Sequence, residues 1–187
     1  SGKEVVQIFV SCPQGSRVKE YRRLAGFAKT KELAPGEKQS LSLTFPLYQL
    51  TSYEEETASW VLDGGNYGIW VGNSLSDAKL CAVLSLDQSA VMVSGSNICK
   101  KQRELAEITP DQAKLLEKQK AWEAIAKEEN LPNLQIKSDQ IQTKTISYDA
   151  DQEAFIGRAK EIVENMTTDQ LLLLATGDIR MGQGSAI

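Results

Sequence analysis

Histidine is missing from this chain altogether. Its absence removes the commonest general base at neutral pH and the commonest metal ligand. Cysteine is scarce: Cys12, Cys81 and Cys99 are widely spaced, odd in number and form no CxxC pair. That arithmetic argues against a zinc site or a disulfide framework, and no metal or cofactor is expected. Cys81 lies in a strand-like segment and reads as a small buried apolar residue. No apolar run approaches the roughly 20 residues that a membrane helix needs, so no membrane partner is expected. Positive charge is also short. With 21 Lys and Arg against 25 Asp and Glu, the net charge is −4, which argues against a nucleic-acid partner. The one basic cluster, Lys19, Arg22 and Arg23, has Glu20 inside it and reads as a solvated loop rather than a phosphate site.

What is present suits a folded core. The 187 residues are 41% hydrophobic and 25% charged, ordinary values for a soluble globular domain or a domain plus part of a second. The first half reads as β. Glu4 to Val10 is rich in Val, Ile and Phe and is bounded by Pro13 and Gly15. Leu41, Leu43 and Phe45 alternate with Ser42 and Thr44, predicting a half-buried strand after the Pro35-Gly36 turn. Asp63-Gly64-Gly65-Asn66 separates Trp60-Val61-Leu62 from Tyr67, Ile69 and Val71 and predicts a tight hairpin. Lys79 to Leu86 supplies a further strand. Short strands at this spacing with no intervening helix predict an antiparallel sandwich. Tyr67, just after a turn at the start of a late strand, fits the corner tyrosine of such folds. Trp60 and Trp70 read as sheet-face residues, with Trp60 the better core candidate.

The second half changes character. Ser94-Gly95-Ser96-Asn97 is linker-like. Thr109 as N-cap, Pro110 at the first helical position and Gln112 predict a helix that continues through Leu115, Leu116, Trp122 and Ile125 to about Glu129. Residues 133–148 are polar with isolated isoleucines and read as an extended connector lying on a surface. A second helix is predicted from about Asp151 to Asn165, with Phe155, Ile156, Ala159, Ile162, Val163 and Met166 on one apolar face. Thr167 to Gln170 forms a capping box that opens a Leu-rich helix stopping at Gly177. Gly177 to Ile187 reads as a loop.

Several phrases of the first half resemble one family in the right order: Gly2-Lys3-Glu4-Val5-Val6-Gln7, Leu24 to Lys29, Leu33 to Glu37, and Gly65-Asn66-Tyr67 through Val71-Gly72-Asn73-Ser74. Together they resemble the fibronectin type III-like domain of glycoside hydrolase family 3, the β-glucosidases and their relatives. Val163 to Leu171 is similar to the phrase that opens that family's barrel domain, and Gly182 to Ile187 to the loop after it. The order is similar to a permuted subgroup in which the barrel comes last.

The resemblance implies a mainly β fold: a fibronectin type III-like sandwich over 1–86, a linker with one helix and an extended connector over 87–148, and the helical start of a truncated barrel domain over 149–187. It also implies that the sandwich lacks its first strand. An open edge invites pairing, so the gap is expected to be filled by part of 133–148 or by a second molecule in a homodimer. The compartment is not fixed by these residues; a bacterial cytoplasm is slightly favoured, since no targeting signal lies within the chain.

Family members are implied to be retaining glycosidases, with an aspartate nucleophile on the barrel and an acid/base carboxylate from another domain, about 5–5.5 Å apart. No position here matches either motif, so no catalytic residue is assigned. The function implied is a non-catalytic structural module whose partners are the parent's catalytic domains; an independent carbohydrate- or surface-binding module is the alternative. Asp178 and Arg180 are the residues expected near substrate in the parent. Glu54-Glu55-Glu56 reads as a hydrated turn rather than an acid/base set. Asn165-Met166-Thr167 matches the glycosylation pattern, with helix-end capping the plainer role of Asn165.

Overall fold

The computed structural model describes residues 1–103, 106, 108–146 and 148–176. The chain divides into two compact units, Ser1–Ile146 and Ser147–Ile187. Among the described residues the first is mainly β, with two sheets and one α-helix.

Strands β1 (Val5–Ser11), β2 (Arg23–Lys29), β5 (Gly65–Gly72) and β6 (Lys79–Leu86) pair antiparallel in the order β2-β1-β5-β6. The second sheet joins β3 (Ser52–Glu54), β4 (Ser59–Leu62) and β7 (Ala90–Ser94), also antiparallel. Val10, Leu62, Tyr67 and Leu86 fill the space between the sheets with Cys12, Ala25 and Leu50. The sandwich predicted from the strand pattern is therefore present.

Its limits differ from the boundary drawn at residue 86. β7 belongs to the second sheet, and the connector supplies an edge strand to each sheet. β8 (Asn133–Ile136) runs parallel to β6, and β9 (Lys144–Thr145) runs parallel to β7. Parts of 133–148 thus pair onto the border of each sheet.

The helix placed in a linker is a third layer. α1 (Gln112–Glu128) lies on the outer face of the first sheet, where Trp122 and Ala126 pack with Phe9, Trp70, Leu80 and Val83. Gly68 makes the close approach possible, since a Cβ there would stand 3.3 Å from the Trp122 ring and 3.1 Å from Trp70 Nε1. The cap is Asp111, two residues beyond the predicted Thr109: its carboxylate accepts from the Lys114 amide at 3.2 Å. An acid at that position also complements the positive end of the helix dipole. Asn130, with φ of 50°, ends the helix as predicted, just before Pro132. Leu115 and Trp122 are buried, whereas Ile125 is 43% exposed.

Two expected β features take another form. Asp63 to Asn66 does not close a hairpin, because β4 and β5 lie in different sheets. The turn is a crossing between layers, and Gly65 supplies its φ of 132°. Residues 41–47 alternate half-buried and exposed as predicted, but they join no ladder and form no strand. Burial needs only one inward face; a strand needs a partner for its amides.

The second unit carries α2 (Tyr148–Glu164) and α3 (Thr168–Thr176). The capping box is present: Thr167 N donates to Gln170 Oε1 at 2.9 Å, and Gln170 N donates to Thr167 Oγ1 at 3.3 Å. The side chain of Asn165 donates to the Glu161 carbonyl at 2.7 Å, a helix-end role. Phe155, Ile156, Ile162 and Val163, the predicted apolar face, are exposed, as are Leu171 to Leu174.

Candidate functional site

The basic cluster is not a solvated loop. The Lys19 side chain is 3% exposed and its Nζ stands 2.6 Å from Asp63 Oδ2, while also donating to the Pro13 and Arg17 carbonyls. Arg17 completes the group, with one guanidinium nitrogen 2.5 Å from Asp63 Oδ1 and the other 2.5 Å from Glu54 Oε2. One guanidinium thus bridges two carboxylates from separate parts of the chain, an arrangement that ties the Arg17 loop to β3 and to the turn after β4. Of the acidic run, then, Glu54 is drawn into this network, Glu55 lies 3.9 Å from Lys101, and Glu56 is exposed.

Arg22 stacks over the Trp70 ring, its guanidinium carbon 3.4 Å from the centroid, and donates to the Leu75 carbonyl at 3.0 Å. Arg23 pairs with Glu20 and reaches the Gln49 and Thr51 carbonyls at 2.6 and 3.1 Å. Each of the three cations thus braces a turn or a ring. The corner tyrosine is also in place: Tyr67 is fully buried, and its hydroxyl donates to the Asp63 carbonyl. Burial pushes its phenol far above the ordinary value.

The tryptophans exchange the roles expected of them. Trp70 is 7% exposed, covered by α1, with its indole N–H donating to Ser11 Oγ at 3.0 Å. Trp60 is 37% exposed. The register breaks between Trp60 and Val61, so Leu62 reaches the core between the sheets while Trp60, two residues earlier, stays outside. Trp60 meets Tyr53 and Tyr48 there, with centroid separations of 5.3 and 5.7 Å and interplanar angles of 56° and 58°.

That aromatic cluster is what reading the sequence missed. The signal was partial: Tyr53 sits opposite Trp60 in the β3–β4 pairing. Tyr48 arrives from a single 3-10 turn, Leu47–Leu50, that no periodicity announces. Cys81, expected inside, is exposed on the β6 strand, whereas Cys12 is buried. Asp178 and Arg180 lie outside the described residues. Among the described residues, no group of three acidic or cysteine side chains is arranged to hold a metal ion, and no helix is long and apolar enough to cross a membrane.

Comparison with known proteins agrees with this architecture. Residues 4–75 match the fibronectin type III-like domain. Beta-glucosidase A of Butyrivibrio fibrisolvens is 39% identical over 83 residues, which is 42% of this chain and 10% of that protein. Beta-glucosidase of Ruminococcus albus is 35% identical over 97 residues, 49% of this chain and 10% of its own length. A solved beta-glucosidase from Paenibacillus barengoltzii is 36% identical over 48% of this chain and 11% of its own, with a TM-score of 0.47. The chain spans about a tenth of the length of these curated relatives. Residues 4–75 are therefore similar to the fibronectin type III-like domain, and between 42% and 49% of the chain is similar to part of these β-glucosidases.

Proposed function

We propose that this chain is a non-catalytic structural module of a glycoside hydrolase family 3 enzyme, a β-glucosidase-like protein whose other domains carry out retaining hydrolysis of O-glycosidic bonds. The observation that carries the reading is the identity of 35–39% to β-glucosidases, confined to about a tenth of their length. The charge arrangement supports it. Lys19, Arg17, Glu54 and Asp63 are paired with one another and brace the module from within.

The module's partners are the catalytic domains of the parent. The exposed apolar residues of α2 and α3, Phe155, Ile156, Ile162 and Leu172 among them, offer contact area for such neighbours. Asp178 and Arg180 remain the residues proposed to approach substrate in the parent. Incubating the purified chain with an aryl β-glucoside tests the reading. No release of aglycone above the buffer rate is expected, and turnover by this chain alone would overturn it.

A further inference from the structure

Tyr48, Tyr53 and Trp60 keep 42%, 44% and 37% of their surface in solvent on the outer face of the second sheet. Trp60 lies between the two tyrosines. Their polar ends are uncommitted. The buried Tyr67 and Trp70 place their O–H and N–H on Asp63 and Ser11. Among the described residues, no hydrogen bond occupies the hydroxyls of Tyr48 and Tyr53 or the indole N–H of Trp60. Large apolar faces with free donors at their edges suit a ligand that is itself apolar on its faces and polar around its rim.

We propose that this surface binds a β-linked gluco-oligosaccharide. A β-glucosyl ring carries its hydroxyls equatorially, so both faces present C–H groups to an aromatic ring while the rim presents hydroxyls to donors. Strand pairing sets Tyr53 opposite Trp60, and the same row continues through Val93 to Lys144. The saccharide lies across the strands along that row, with the exposed Lys144 at its far end.

The platform is fixed before ligand arrives. The 3-10 turn that carries Tyr48 is pinned by Arg23 at the Gln49 and Thr51 carbonyls. The Thr51 hydroxyl adds a bond to the Tyr48 carbonyl at 2.7 Å. Rings that need no ordering on binding lose less of their contact energy. This inference goes beyond the scaffold role and stands on the surface alone.

Titration of the purified chain with cellopentaose, followed by tryptophan fluorescence and calorimetry, tests it. Trp70 and Trp122 are buried, so the optical response reports Trp60. A saturable change is expected, with weaker binding of the α-linked maltopentaose. Trp60→Ala is expected to weaken binding about tenfold, the equivalent of one aromatic contact. Tyr53→Ala, on the short β3 strand, provides a second reading by calorimetry should the tryptophan variant not fold. The proposal is overturned by a flat titration of the wild-type chain, which would assign the surface to contact with a neighbouring domain. Unchanged affinity in the ring variants, or equal binding of maltopentaose, overturns it too. Absence of hydrolysis, the outcome that supports the scaffold role, does not affect these readouts.

Discussion

The Tyr67 hydroxyl donates to the Asp63 carbonyl at 2.5 Å, across the turn by which the chain leaves one sheet for the other. Tyr67→Phe keeps the ring and removes that bond. The carbonyl loses its tyrosine donor in a buried corner, so a loss of about 1–2 kcal/mol is expected. Urea unfolding would show it as a lower midpoint at unchanged slope. An unmoved midpoint would mean that the corner bond adds nothing to stability.

The pair Lys19–Asp63 predicts an asymmetry. Asp63→Asn leaves a buried ammonium beside an uncharged amide and is expected to cost about 3 kcal/mol. Lys19→Met leaves Asp63 still bound by Arg17 and places a flexible apolar chain in an enclosed site, so it should cost less. Thermal and urea melts of the two variants decide the order. Equal losses would assign the ammonium's stabilisation to the Pro13 and Arg17 carbonyls instead.

Glu20 links the aromatic turn to pH. Burial raises its pKa, but the hydrogen bond from Arg23, backbone bonding and the Arg23 charge outweigh it and hold the carboxyl below the usual glutamate value. A folded pKa below the unfolded one stabilises the fold above the unfolded pKa, and that contribution is lost as pH falls through the folded value. Stability should therefore decline on acidification through and below the ordinary glutamate range. Glu20→Gln should flatten that limb of the curve. An identical pH profile in the variant would exclude the Glu20–Arg23 pair as its source.

Thiol chemistry separates the three cysteines. Cys12 is buried, and burial pushes its thiol up to about 11, so little thiolate exists near neutrality. Cys81 and Cys99 are exposed. Ellman's reagent at pH 8 is expected to label Cys81 and Cys99 in the native protein and to reach Cys12 only after unfolding. Rapid labelling of Cys12 without denaturant would contradict the buried position.

The sequence carried the sandwich because β periodicity and turn residues are local signals. Val5–Ser11, Gly65–Gly72 and Lys79–Leu86 were all legible that way, as was the tyrosine corner. The misreadings share one cause, which is contact between distant parts of the chain. Trp70 is buried by Trp122 on a helix that looked like linker. Lys19 is buried by Asp63, and Trp60 is exposed by a register break that alternation does not encode. Residues 41–47 show the converse, since alternation reports a buried face and is silent about a hydrogen-bonding neighbour. The aromatic surface stayed hidden for the same reason, as its members meet only after β3, β4 and the 3-10 turn have assembled.

The parallel strands at the sheet edges constrain how this protein can be made. On a ribosome the N-terminal half emerges first, with β6 and β7 lacking the neighbours that Asn133–Ile136 and Lys144–Thr145 later provide. Until those residues leave the exit tunnel, both nascent borders can be captured by another polypeptide. Slow translation through that stretch would lengthen the exposure, and a chaperone that shields it would raise the yield of native protein.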